Sequence, residues 1–271
     1  MSDQLTLRLE ADQLPALPDL RPMLPRPLPE PFDSDDYLFE PWWGGERAFV
    51  LIGPADVAGG GAVRVVDAAG VDRSAALPEL AGLAVRIAAR SAILDGELVV
   101  VDSSGRADAG ELARRLAGEP GRPAAFLAFD LLHLDGRSLL SQPLVRRREA
   151  LRRVLRPGDE VVAVPAIATE GIALFEAAAA QGIAGILARQ RSSPYLPGTR
   201  SRLWRFVAAR SDGAGLVAGD TTAPDPAAAA VGAAGAGAAG PAGPGAAGAA
   251  GAAGAAAPVL ALISRLPLDD P

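Results

Sequence analysis

The sequence predicts a mixed α/β (α+β) fold in which antiparallel sheets are flanked by helices. Short apolar runs of strand length stand beside glycine-rich or Asp-Gly turn signals, as hairpins require. Between them lie segments whose apolar residues recur at helical spacing. The 271-residue chain contains no cysteine, so disulfides and thiolate metal sites are excluded and an apolar core must hold it together. Much of its 49% hydrophobic content is alanine and only 4% is aromatic, which leaves Leu, Val and Ile to build that core.

Residues 1–35 are rich in proline, as in Leu14-Pro15-Ala16-Leu17-Pro18 and Pro22-Met23-Leu24-Pro25-Arg26-Pro27-Leu28-Pro29. Each proline removes a donor and restrains its predecessor, so this is an extended arm laid over the domain. Ala48–Ile52 and Ala62–Val66 form a hairpin around Gly59-Gly60-Gly61, closed by Asp67-Ala68-Ala69-Gly70. Leu77–Ala89 carries Leu80, Leu83, Ala84, Ile87 and Ala88 and reads as an amphipathic helix. Ala92–Val101 reads as strand, turn and strand, with Asp95-Gly96 at the turn. Glu111–Gly118 is a short helix, and Ala124–Leu132 a strand that carries Phe129 and ends beside His133, the only histidine. With no second histidine and no cysteine, His133 is a strand-end residue without a metal or catalytic role.

Leu144–Leu155 is a helix whose buried side is marked by Leu144, Leu151 and Leu155, and its arginines, among them Arg146-Arg147-Arg148, read as a solvated face. Val161–Ile167 is a strand, a helix runs from Thr169-Glu170-Gly171 to Gln181, and Gly182–Arg189 is a further strand. The expected domain is 36–210. From Ser211 the composition turns to Ala, Gly and Pro, which predicts a disordered linker over 211–257 before a short apolar tail at 258–271. Gly235-Ala236-Gly237 and Gly243-Pro244-Gly245 break the glycine triplets, which excludes collagen.

The formal net charge is −6, but residues 36–210 hold 22 Arg against 20 acids, or +2, while 1–35 (3 against 7) and 211–271 (1 against 5) are each −4. A general nucleic-acid binder is disfavoured and a local basic surface is not. Residues 1–26 hold acidic residues and no run long enough for a signal peptide or membrane span, so a cytoplasmic protein with no membrane partner is expected.

Glu40-Pro41-Trp42-Trp43-Gly44-Gly45-Glu46-Arg47 resembles the Glu-x-Lys-x-Asp-Gly-x-Arg motif of ATP-dependent DNA ligases. Ile93-Leu94-Asp95-Gly96-Glu97-Leu98-Val99, Phe129-Asp130-Leu131-Leu132, Gly182-Ile183-Ala184-Gly185-Ile186-Leu187-Ala188-Arg189 and Ser193-Pro194-Tyr195 through Trp204 follow in that family's order and spacing. The resemblance covers about residues 20–210 and implies an ATP-grasp-like nucleotidyltransferase fold, the adenylation domain. The OB-fold domain that follows in the family is expected to be absent, with the linker in its place.

The resemblance implies ATP and Mg2+ as the family's cofactors and DNA ligase (ATP) as its activity. The nucleotide-binding positions carry over to Glu40, Arg47, Glu97, Phe129 and Arg189: Phe129 stacking on adenine, Arg47 near the ribose, Glu97 facing the ribose or its metal, Arg189 holding a phosphate. The chain departs from the family where chemistry is done. The lysine that takes AMP is Trp42, the aspartate after it Gly44, the metal-associated glutamate Ala184, and the closing Lys-x-Lys is Phe206-Val207-Ala208. An indole has no free amine, and all 26 residues counted as Lys+Arg are arginine, which keeps its proton and is a poor nucleophile. The expectation is a degenerate adenylation domain, a pseudoenzyme with no catalytic or metal residue and no lysyl-AMP. Three uses follow: a module that binds nucleotide, or nicked or broken duplex DNA, in repair or recombination; a scaffold binding a protein partner through the C-terminal tail; or a residual ligase acting on pre-adenylated DNA.

Overall fold

The computed structural model describes residues 20–55 and 61–209. The expected turn centre at Gly59-Gly60 and the expected linker and tail lie outside the described residues. In chain order the strands are β1 (Leu24–Pro27), β2 (Ser34–Trp42), β3 (Glu46–Ala55), β4 (Gly61–Asp67), β5 (Ala92–Val99), β6 (Ala125–Leu134), β7 (Arg137–Ser138), β8 (Val161–Ala163), β9 (Ile167–Thr169), β10 (Gly185–Gln190) and β11 (Arg200–Ala208). The helices are α1 (Ala109–Leu116), α2 (Leu144–Val154) and α3 (Gly171–Ala180). Two sheets result, one ordered β1-β11-β10-β2-β9 and the other β4-β3-β5-β6-β7 with β8 added beside β6. Pairing is antiparallel except for β1 with β11 and β6 with β8.

Alternation along the strands of the second sheet sorts their side chains between two cores. Val50, Leu94, Phe126 and Ala128 pack with Leu77, Leu80, Leu83, Leu151 and Val154 under α2. Phe49, Leu51, Ile93 and Leu132 point the other way and meet Met23, Tyr195 and Trp204. On the first sheet, α3 lies against β2 and β10, where Leu174 and Ala178 cluster with Phe39, Ile186, Ala188 and Val207. The candidate site therefore lies where the two sheets meet. Among the described residues no helix is long and apolar enough to cross a membrane.

Four local expectations change. Leu77–Ala89 holds two short 3-10 turns, Pro78–Leu80 and Leu83–Arg86, preceded by a third at Ser74–Ala76, rather than an α-helix. Its buried residues Leu77, Leu80 and Leu83 are spaced by three, the 3-10 repeat, and Pro78 and Gly82 interrupt any longer helix. Asp95-Gly96 is not a hairpin turn but the middle of β5. Glycine is required there because a Cβ would strike the Phe126 ring and the Leu127 carbonyl on β6. The run Val161–Ile167 splits at Pro165 into β8 and β9, which join different sheets. The arm, within its described part, is extended as expected and pairs through β1 in parallel with β11.

The fourth change concerns α2. Arg147 and Arg148 are 0% and 3% exposed and not part of a solvated face. Arg147 lies three residues after Leu144 and four before Leu151, within the apolar stripe itself, so its burial follows from helical spacing.

Candidate functional site

The stretch from Glu40 to Arg47 passes from one sheet to the other. Glu40 and Trp42 end β2, residues 43–45 turn, and Arg47 enters β3. Gly44 makes that turn with φ +76°, a conformation strained for any side chain. Glu40 and Arg47, the two ends of one motif, thereby stand on different sheets and come together with Phe129 on β6 and Arg189 on β10.

Glu40 is buried and accepts from Arg189 Nε at 2.8 Å and Nη2 at 2.6 Å, and also from Arg148 Nη1. Arg189 Nη2 also donates to the Phe129 carbonyl at 2.8 Å, and Nη1 to Asp130 Oδ2 at 3.3 Å. Arg147 grips Asp130 through two bonds of 2.8 Å and donates to the Gln142 and Ser193 carbonyls at 2.6 and 3.0 Å. Arg47 donates to both oxygens of Asp95 at 2.6 Å. Tyr195 Oη donates to Asp95 at 2.8 Å and accepts from the Met23 amide at 3.0 Å, which ties the arm to the site. Four guanidiniums, Arg47, Arg147, Arg148 and Arg189, thus meet three carboxylates, Glu40, Asp95 and Asp130. Such fork-to-carboxylate geometry is what makes buried charge tolerable.

Burial alone would lower the Arg47 pKa, but the charge and hydrogen bonds of Asp95 outweigh it, and the guanidinium ends above its ordinary value. Burial pushes the Tyr195 phenol up and the Asp95 charge adds to this, so the phenol keeps the proton it donates. Burial lowers Arg148, with Glu40 opposing. Glu97 stands apart from these pairs. Its carboxylate accepts from the Gly45 amide, and desolvation raises its pKa to about 7 against the opposing pull of the 43–45 amides and Arg47.

The aromatic rings are covered by the same arginines. The Arg47 and Arg189 guanidinium carbons lie 4.5 and 4.8 Å from the Phe129 ring centre, and 5.7 and 5.0 Å from that of Trp204. The expected nucleotide-binding residues Glu40, Arg47, Phe129 and Arg189 are therefore gathered, but they satisfy one another. Glu97 on β5 is the register partner of Arg47 on β3, and its side chain faces the 43–45 turn. A cavity of about 290 Å3 beside α2, lined by Leu139, Gln142, Arg146, Glu149 and Arg153 among others, shares Arg147 with this cluster and none of the five expected residues. Asp95, Asp130, Arg147, Arg148 and Tyr195 were missed as site residues. Asp95 and Asp130 stand inside the quoted motifs, so their positions were the available signal.

Around Trp42 at the end of β2 the character changes. Trp42 meets Phe206 edge to face at 4.5 Å between ring centres. A Cβ on Gly44 would lie 3.1 Å from the Ala184 Cβ and 4.0 Å from Trp42 Cη2. Trp42 and Gly44 thus form one apolar group with Ala184 and Phe206, which are far from them in sequence. Among the described residues no cluster of three or more His, Cys, Asp or Glu is arranged to hold a metal ion.

The family described as ATP dependent DNA ligase domain matches residues 24–205. The multifunctional non-homologous end joining protein LigD of Mycobacterium bovis is 35% identical over 171 residues, covering 63% of this chain and 21% of that protein. DNA ligase C1 of Mycolicibacterium smegmatis is 33% identical over 208 residues, covering 69% and 56%. A solved structure of mycobacterial DNA ligase D, complexed with ATP and MES, superposes with a TM-score of 0.59 at 32% identity, covering 70% of this chain and 60% of that one. The chain thus spans between about a fifth and three fifths of these relatives.

Proposed function

The chain belongs to the ATP-dependent DNA ligase domain family and has its nucleotidyltransferase fold, and from that premise we propose that it is an adenylation domain that no longer forms lysyl-AMP. It serves instead as a nucleic-acid-binding module in DNA repair or recombination. The observation that carries this reading is the joint character of Trp42, Gly44, Ala184 and Phe206. The resemblance puts a lysine, an aspartate, a metal-associated glutamate and another lysine at these positions. Here all four are apolar and meet, Trp42 against Phe206 and Gly44 against Ala184. A single lost lysine would leave charged neighbours stranded; a complete exchange leaves a self-consistent apolar group.

The residues present do not fit a reactive ATP–Mg2+ pair. Carboxylates are replaced by Gly44 and Ala184 where a metal would be held, and Arg47 and Arg189 lie against the Phe129 ring where adenine would stack. Phosphoryl transfer needs cations set against the phosphate oxygens, and Arg189, the guanidinium expected to hold a phosphate, is committed to Glu40 and Asp130. DNA repair supports the reading by kinship alone, through the end-joining and ligase relatives.

The test is incubation of the full chain with ATP labelled at the α-phosphate and Mg2+, followed by denaturation, with an active ligase as control. The expected result is label on the control and none on this chain. Label retained covalently here would overturn the proposal.

A further inference from the structure

The cavity of about 290 Å3 beside α2 meets the carboxylate network only through Arg147. Arg147 donates to Asp130 and to the Gln142 and Ser193 carbonyls, which pins the 139–142 loop against the helix. The Tyr195 amide holds the same loop through the Leu140 carbonyl at 2.8 Å, and the Leu139 amide donates to the Leu132 carbonyl at 2.8 Å. The walls are therefore set before any ligand arrives. One wall is α2, where Arg146, Ala150 and Arg153 follow at intervals of four and three, the spacing that stacks side chains along one helical face. Both arginines are exposed. Arg146 gives a single bond to Glu149, from Nη1 at 2.9 Å, and among the described residues Arg153 has no ion-pair partner. Gln142, four residues before Arg146, lines the same cavity and is exposed.

The lining narrows the occupant. Its exposed charges are two arginines against one acid, in a chain whose formal net charge is −6, so this place draws anions against the general field. No aromatic side chain lines it, so it offers nothing on which the open bases of an unpaired strand could stack. Seven residues of helix set the two arginines about 10.5 Å apart along its axis. Glu149 stands between them in height and is bonded to Arg146, so one compact anion placed midway would face a carboxylate. A row of separate phosphates avoids this. Duplex nucleic acid carries one phosphate per about 3.4 Å of each strand, about three steps over that length.

We propose that the ridge of Gln142, Arg146 and Arg153 on the α2 side of this cavity binds the phosphate backbone of duplex nucleic acid, without reading its bases. This rests on the reading of the chain as a nucleic-acid-binding module and names the surface that the module uses. Glu149 restrains the affinity by holding Arg146 and by repelling phosphate.

The experiment is titration of a fluorescein-labelled nicked duplex of about twenty base pairs with the full chain, read by anisotropy at several salt concentrations. The expected result is saturable binding that weakens as salt rises and is indifferent to sequence. R146Q and R153Q each flatten the slope of log affinity against log salt by about 0.9. E149Q, which frees Arg146, binds more tightly. All three side chains are exposed, so the fold is retained. R64Q is the control, because Arg64 is exposed, pairs with Asp72 and stands on β4, at the opposite edge of the second sheet from β7. Its slope matches that of the unaltered chain. An unaltered slope in R146Q or R153Q, an equal fall in R64Q, or E149Q binding no more tightly overturns the assignment to α2 and leaves the module reading standing. Displacement of the duplex by polyglutamate at equal charge does the same, since an acidic peptide would then be the ligand. Failure of the unaltered chain to bind duplex overturns the inference and the nucleic-acid reading together, whereas labelled AMP on the chain overturns only the loss of adenylation.

Discussion

Glu97 is the residue whose chemistry is most exposed to pH. Its carboxyl is 4% exposed and its pKa stands at about 7 against an ordinary 4.5, desolvation being the main cause. Between these values the folded state holds more protons than the unfolded chain, so the contribution to stability is fully present below about 4.5 and is lost as pH rises through about 7. E97Q removes this dependence. From about pH 4.5 to pH 8 the unaltered chain is expected to lose up to roughly 3 kcal/mol relative to E97Q in urea unfolding. Parallel curves for the two proteins would refute this. Arg189 makes a second case. It is wholly buried and joins Glu40 to Asp130. R189A leaves two carboxylates short of a partner and is expected to cost roughly 3 kcal/mol. The same measurement on R146A, an exposed arginine paired only with exposed Glu149, should give a change within about 0.5 kcal/mol. Equal losses would show that burial does not separate these arginines.

At the scale of the element, the arm is held by sequence-distant contacts. Met23 is fully buried, its amide bonds Tyr195 Oη, and β1 pairs with β11 from Leu24 onward. Y195F keeps the ring against Trp204 but removes the hydroxyl that both the Met23 amide and Asp95 use. The expected loss is about 1–2 kcal/mol. Amide exchange should accelerate at Met23 and Leu24 before it does in β5; uniform acceleration would mean that the arm is not separately anchored. α2 shows the same dependence on context. Its leucines mark the buried side, yet Arg147 and Arg148 are buried with them because acids on β2 and β6 stand opposite. The 3-10 turns before β5 were legible in the three-residue spacing of Leu77, Leu80 and Leu83, although a longer helix was the simpler reading.

Over the whole molecule, the proposed loss of adenylation is distributed rather than local. Returning the nucleophile alone, as W42K, leaves Gly44, Ala184 and Phe206 in place, with no carboxylate for a metal and no closing lysine. W42K is therefore expected to retain no labelled AMP under conditions that label an active ligase; labelling of W42K would show that one side chain decided the outcome. The order of motifs, the strand-and-helix alternation and the absence of any lysine were determined by the sequence itself, because periodicity and residue chemistry are local properties. What decided the site was tertiary. Only the meeting of the two sheets sets Arg47 and Arg189 against Phe129, pairs Glu40 with Arg148 across 108 residues, and turns four separate substitutions into one apolar group. A charge or a ring in a sequence does not reveal its partner, since burial and pairing energies depend on which surfaces the fold brings within a few ångströms.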